Sequence, residues 1–314
     1  MAASHIETMQ CMEIWGGNRS VDGGVALAGL DAWVFSRPHA GAEAGGDVHY
    51  VSSCATGRIT RLLVADVSGH GESVSATASS LRSLMRRFVN YVDQTRFVRS
   101  MNGEFSTLAL DGTFATAIVN TYYAPTGELT LCNAGHPPPL LYRAEARTWS
   151  LLEGAARGEQ KNSGNLPLGI VELAAYDQFA LRLRPGDMVL CYTDSLIEAT
   201  DPSGEWIGPR GLLRLIQGLD TGDPGAIIPA LLAAVRGLAP GNLHGDDVTV
   251  LLFRPNGRAP RAPFAQRVLA PIRVLAGIIG SWLPGGQPAP LPELSLRNLL
   301  GFSPRGTAAD EAGG

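Results

Sequence analysis

The chain carries few charges, no closely spaced cysteines and no apolar run long enough to span a bilayer. Charged residues make up 17% of its 314 residues and the net charge is −4, so the basic footprint of a nucleic-acid-binding protein is missing. The four cysteines, Cys11, Cys54, Cys132 and Cys191, stand far apart, without the paired spacing of a metal site. Cys54, Cys132 and Cys191 fall in apolar strand patterns, which predicts buried free thiols and a reducing, cytoplasmic setting. Residues 1–10 lack the basic start and apolar stretch of a secretion signal. The strongly apolar stretch at 268–283 is shorter than the ~20 residues that a membrane helix needs. Its polar side also lacks the Lys and Arg load of a surface anchor. An integral membrane span is therefore not expected.

What the chain does have is apolar bulk, 45% of its residues, enough for one large domain or two small ones. Its centre is a strand that ends on a carboxylate, then a turn, then a helix. Residues 58–67 are rich in Ile, Leu, Val and Thr and read as a strand closing on Ala65-Asp66-Val67. The turn Ser68-Gly69-His70-Gly71 follows. Val74, Ala78, Leu81, Met85 and Phe88 then recur at spacings of four and three, one face of a helix. Other aspartates occupy similar places: Asp47 before a strand over 48–55, Asp194 after a strand over 188–192, and Asp246 with Asp247 before a strand over 248–253. Asp is disfavoured inside strands, so an ordinary turn explains each one singly. Together, carboxylates at strand ends beside small residues suit a hard cation or a phosphate.

In chain order, residues 1–23 read as a lead-in, with 11–15 as a packed edge piece, and 25–35 as one strand ended by Arg37-Pro38. Strands over 48–55 and 58–67, joined at Thr56-Gly57, form a hairpin. A second helix is predicted over 93–108, then strands over 114–123, 128–133 and 138–143. Residues 153–165 are polar and glycine-rich and predict a mobile loop near the site. Strands over 176–184 and 188–192 flank the turn at Pro185-Gly186, and helices over 211–219 and 224–238 precede the last strand. Strands and helices come in pairs rather than in alternation, which favours α+β over a parallel α/β sheet. Residues 24–255 form the main domain. Residues 256–314 read as a linker, an apolar helix over 268–283 and a disordered tail. That helix is expected to dock on residues 73–108 or on a second subunit.

Eight segments, in order, carry a resemblance. They are Gly45-Gly46-Asp47; Ala65-Asp66-Val67-Ser68-Gly69-His70-Gly71; Phe114-Ala115-Thr116-Ala117; Asn133-Ala134-Gly135-His136-Pro137; Leu166-Pro167-Leu168-Gly169; Pro185-Gly186-Asp187; Tyr192-Thr193-Asp194; and Asp246-Asp247-Val248-Thr249. On these the chain resembles the SpoIIE-like (RsbU-like) branch of the metal-dependent protein phosphatase 2C (PPM-type) superfamily, bacterial serine/threonine phosphatases. The resemblance implies an α+β fold of two stacked antiparallel β-sheets flanked by helices, a four-layer α-β-β-α sandwich with metals in a cleft at one sheet edge. It implies two divalent cations, Mn2+ or Mg2+. Asp66 would bridge both and act catalytically through the water between them. Asp47 and the backbone carbonyl of Val67 would serve one cation, Asp194 and Asp246 the other. Asp247 would orient bound water or Asp246.

Two departures from the family pattern matter. Ser195 stands where glycine is usual, a strained choice if the position needs φ > 0. Val48-His49-Tyr50 follow Gly-Gly-Asp where an acidic residue is common. His49 is a substitute ligand or an outward strand residue. His70 and Arg37 are candidates for substrate binding: an imidazole can protonate a leaving alkoxide and a guanidinium can hold a phosphate. A turn residue and a surface arginine are the plain alternatives. His136 reads as structural.

The expected chemistry follows from the carboxylates. A phosphomonoester dianion repels nucleophiles, and two cations ~3.5–4 Å apart neutralise it and acidify a water between them. Hard cations want oxygen ligands, which explains Asp rather than Cys or His. The expected function is a cytoplasmic protein serine/threonine phosphatase acting on a phosphorylated signalling protein, for which the resemblance suggests an anti-sigma-factor antagonist. A separate regulator or a homodimer is the expected means of control, and no nucleic-acid partner is expected. The alternatives are a catalytically impaired pseudophosphatase that binds a phosphoprotein, and a phosphoesterase for small molecules.

Overall fold

The computed structural model describes residues 6–9, 13–54, 57–69, 72–89, 91, 93–108, 112–153 and 165–258. In chain order these form β1 (Ile6–Thr8), β2 (Ile14–Gly17), β3 (Val21–Ala26), β4 (Leu30–Arg37), β5 (Asp47–Ser53), β6 (Ile59–Val67), α1 (Glu72–Phe88), α2 (Gln94–Leu108), β7 (Ala115–Tyr123), β8 (Glu128–Ala134), β9 (Leu140–Arg143), β10 (Thr148–Leu151), β11 (Gln178–Arg182), β12 (Met188–Tyr192), α3 (Gly208–Gln217), α4 (Pro224–Arg236) and β13 (Val248–Pro255).

The strands assemble into a seven-stranded sheet, ordered β1-β3-β4-β13-β12-β9-β10, and a six-stranded sheet, ordered β11-β8-β7-β6-β5-β2. Every described strand pair is antiparallel except β1 with β3 at one edge. Alternation along the strands decides which side chains go where. Val51, Leu62, Val64, Ile118, Leu131, Val189, Leu251 and Phe253 point into the space between the sheets. The other face of β5 and β6 sends Val48, Tyr50, Leu63 and Ala65 outward against α1 and α2, where Leu81, Met85, Phe97, Met101 and Phe105 are buried. On the opposite side Leu190, Tyr192, Val250 and Leu252 meet Leu212, Ile216, Ile227 and Leu231 of α3 and α4. The result is the expected α-β-β-α sandwich, with three apolar layers between four layers of structure.

Three local expectations change. Residues 25–35 are two strands, because Gly29 takes φ +87° and turns the chain back on itself between β3 and β4. Residues 1–23 are not merely a lead-in: β1 and the first half of β3 join one sheet and β2 edges the other. The strand β10 has no counterpart among the expectations; Trp149 buries its ring against Tyr142 of β9, at 5.2 Å between centroids. The expected apolar helix at 268–283, the tail, Cys11, His70 and most of the 153–165 loop lie outside the described residues. Among the described residues no helix is long and apolar enough to cross a membrane, and Cys132 and Cys191 are buried free thiols with Cys54 half-buried.

Candidate active site

Sheet register brings the first two aspartates together. β5 begins where β6 ends, and in this antiparallel pair Asp47 stands directly opposite Asp66. The other sheet delivers its carboxylates to the same end. β12 runs out at Tyr192 into a 3-10 turn, Asp194–Leu196, and β13 starts just after Asp246 and Asp247. One side chain stitches the two sheets: the Thr193 hydroxyl donates to Asp47 Oδ2 at 2.9 Å and accepts from Thr249 N at 3.0 Å.

The Gly45-Gly46 pair is explained by close approach. A Cβ on Gly45 would lie 2.3 Å from Asp247 Oδ2, and one on Gly46 would lie 2.9 Å from the Val67 carbonyl oxygen. Both glycines therefore admit oxygen atoms to positions that any side chain would fill. Asp247 is a framework residue. Its Oδ1 accepts from His39 N at 2.6 Å, and its Oδ2 accepts from Gly46 N at 2.5 Å and Asp47 N at 3.2 Å. Its side chain thus fastens the loop that presents Asp47, while its backbone N donates to Asp246 Oδ1 at 2.8 Å, in keeping with the expected role of orienting Asp246.

The electrostatics are those of like charges held together. Burial pushes the Asp66 carboxyl up to about 7, with Asp194, Asp246, Asp247 and Glu198 adding to the rise. Asp47, 3% exposed, is raised well above the usual range by burial, then by Asp66 and Asp247, against the hydrogen bonds from Thr249 and Thr193. Asp194 is raised by burial and by Asp246. Glu198 is raised by burial, then by Asp194 and Asp246. Glu198 escaped the sequence reading; its only signal was its place four residues after Asp194. None of the described ion pairs involves Asp47, Asp66, Asp194, Glu198 or Asp246. Among the described residues no group of three or more His, Cys, Asp or Glu side chains is arranged to hold a metal ion as it stands, so the case for a cation rests on the chemistry of the donors rather than on a formed cage.

The remaining candidates sort as follows. Arg37 gives its guanidinium to the Leu243 carbonyl, where burial and Arg236 lower its pKa, so it braces the loop that leads to Asp246. His49 is buried beside Trp15, 5.9 Å between ring centroids, rather than turned outward, and burial lowers it to about 4. His136 is buried, with Nδ1 2.9 Å from Thr116 Oγ1, and its turn is pinned by Asn133 on both sides. Ser195 has an ordinary backbone, absent from the positive-φ residues, so replacing glycine there costs no strain among the described residues.

The donor set fits a hard divalent cation. It consists of carboxylates from both sheets that penalise one another when ionised, and a backbone carbonyl kept accessible by a glycine. A doubly wrapped β-sandwich with such a pole is the architecture of the PPM-type serine/threonine phosphatases. Residues 56–256 match the family described as Stage II sporulation protein E (SpoIIE), and the chain belongs to that family. It is 25% identical over 194 residues to the phosphoserine phosphatase RsbU of Bacillus subtilis (strain 168), covering 62% of this chain and 55% of that one. The chain spans about half of RsbU and a quarter of another curated relative. The fold is shared with the RsbU and RsbW domains of a Mycobacterium tuberculosis protein, at TM-score 0.58 and 24% identity over 84% of this chain and 75% of that one. It is also shared with RsbX solved in complex with magnesium, at TM-score 0.53 and 15% identity over 75% and 100% of the two chains.

Proposed function

We propose that this chain is a divalent-metal-dependent phosphatase that removes phosphate from serine or threonine of a signalling protein in the cytoplasm. The observation that supports it is the cluster of mutually repelling carboxylates at one end of a PPM-type sandwich, Asp47 buried, Asp66 and Asp194 half-buried and Asp246 exposed, with no described cationic side chain to neutralise it. Asp47, Asp66 and the Val67 carbonyl would hold one cation, and Asp66, Asp194 and Asp246 a second, Mn2+ or Mg2+. Such cations supply charge neutralisation for the phosphomonoester and a water acidic enough to attack it near neutral pH. The protein's own part is to hold the carboxylates in place. Thr193 and Asp247 fix Asp47 from two sides, and the β5–β6 register fixes Asp66 opposite it. The relationship to RsbU, a phosphoserine phosphatase, supports phosphoserine as the target group, and the proposed substrate is the phosphorylated anti-sigma-factor antagonist that the sequence resemblance suggests. Of the two substrate-binding candidates, Arg37 is occupied elsewhere in the fold and His70 lies outside the described residues.

The test is hydrolysis of a phosphoserine peptide by wild type and Asp66→Asn, each with Mn2+ and with EDTA. Turnover that needs both the metal and Asp66 is the expected result. A wild type that stays inert with Mn2+ present, yet melts at the same temperature with and without it, would leave only the phosphoprotein-binding reading.

A further inference from the structure

Among the described residues, Leu108, Ile170, Val171 and Leu173 are large apolar side chains left 47%, 49%, 45% and 91% exposed. Three of them fall within four residues. On a slack loop this would mean little, but the loop is built. Asn165 closes its base: its backbone N donates to Ala175 O at 3.1 Å and its Oδ1 accepts from Asp177 N at 3.1 Å. Asn102 of α2, fully buried, holds its middle. The Asn102 Nδ2 donates to Val171 O at 2.9 Å and Glu172 O at 2.8 Å, and its Oδ1 accepts from Gly169 N at 2.9 Å. Gly169, at φ +90°, lies so close to the Phe105 ring that a Cβ would meet it at 3.1 Å. Leu168 exchanges two backbone hydrogen bonds with Ala115, at 2.7 and 2.9 Å. This accounts for the Leu166-Pro167-Leu168-Gly169 segment, which the proposed chemistry does not use. A buried polar side chain fixes a loop whose outer side is Ile, Val and Leu, and exposed apolar groups on a rigid support mark a contact surface.

Its position says what it contacts. Ala115 is the neighbour of Thr116, which stands opposite Asp66. Leu168 lies on the other side of β7 from β6, two strand spacings, or ~10 Å, from the strand that ends at Asp66. A phosphoserine side chain cannot reach across that distance, whereas the body of a folded protein can. We infer that the ridge of Ile170, Val171 and Leu173 is a docking surface for the folded phosphoprotein substrate, at the end of the six-stranded sheet that carries Asp66. The inference rests on the phosphatase reading and adds to it the chemistry of the substrate: a folded domain with an apolar patch to one side of its phosphorylated residue.

The experiment compares wild type with Val171→Ser/Leu173→Ser, both exposed positions where such changes leave folding intact. The first readout is binding of the unphosphorylated anti-sigma-factor antagonist, by titration, so that no turnover intervenes. The second is kcat/KM with Mn2+ on the phosphorylated antagonist and on p-nitrophenyl phosphate. The expected result is a tenfold or greater loss of antagonist binding and a matching rise in KM for the phosphoprotein, with p-nitrophenyl phosphate hydrolysis unchanged. Equal binding by both proteins, or none by wild type, overturns the inference. So does a wild-type dimer in sedimentation that the variant loses, which would assign the ridge to a second copy. A wild type inert on p-nitrophenyl phosphate would sink the phosphatase reading alone, and the binding comparison would still decide the ridge.

Discussion

Asp187 and Asp66 are both carboxylates at the ends of strands, at opposite poles of the sandwich. Asp187 is 2% exposed, and its oxygens accept from Arg143 Nη1 at 2.7 Å, Arg184 N at 2.9 Å and Ala144 N at 3.0 Å. Asp66 receives no hydrogen bond from the described residues and faces four other acidic groups. A cavity of about 1260 Å³ opens beside Asp187 and is rimmed by Arg143, Arg182, Arg184 and Arg258. A roomy cavity is therefore no guide to the acidic pole. What separates the two carboxylates is whether the fold has already answered their charge: Asp187 completes a turn, and Asp66 awaits a counter-charge from outside.

Paired substitutions sharpen that contrast. Asp66→Asn should cut phosphoserine-peptide turnover by at least ~100-fold, since a ligand matters more than the outer partners that cost 10–100-fold. In EDTA at pH 8 it should raise the melting temperature, because it removes a charge that its neighbours repel. A fall instead would mean that Asp66 is held by its fold as Asp187 is. Asp187→Ala should do the reverse. Three donors lose their acceptor, for a loss of ~2–3 kcal/mol in chemical denaturation, while turnover per folded molecule stays the same.

A smaller effect tests the histidines packed behind the site. Burial lowers His136 to about 3, below its ordinary 6.5, so the unfolded chain binds the extra proton first. The stability it contributes is full above pH 6.5 and drains away as pH falls toward 3. His49, lowered to about 4, acts with the same sign. Melts of His136→Gln between pH 7 and 4 should therefore fall less steeply with acid than those of wild type, and parallel curves would refute the assignment. The smallest effect belongs to Glu198, exposed at the rim of the cluster. Glu198→Gln should raise the Mn2+ concentration for half-activity by only ~2–3-fold at low salt, and the difference should fade near 1 M salt, where the screening length shrinks to ~3 Å. A salt-independent loss would promote Glu198 to a direct ligand.

The strand–turn–helix centre, the hairpin partner of Asp66 and the strand 188–192 were legible because period-two and period-3.6 patterns are local. The four expected carboxylates were legible through short segments that sit next to them. The turn at Gly29 was not, since an isolated glycine in an apolar run does not announce a reversal of the chain. The side-chain role of Asp247 was hidden for a different reason. It depends on Gly46 and Asp47, some two hundred residues earlier in the chain, and only the closing of the sandwich brings them together. The ridge at 170–173 was equally silent, because an Ile, a Val and a Leu in sequence look like core until Asn102 is seen holding their backbone outward.

The register of β5 against β6 carries a further consequence, for how such a chain can change length. Asp47 faces Asp66 only while the connection between Ser53 and Ile59 keeps its present count of residues. One residue more or fewer there would slide one strand past the other and turn alternate side chains to the opposite face. Val48 and Tyr50 would then enter the space between the sheets, and Asp47 would turn toward the helices. Insertions at this tip, far from any carboxylate, are thus restricted to lengths that a bulge can absorb.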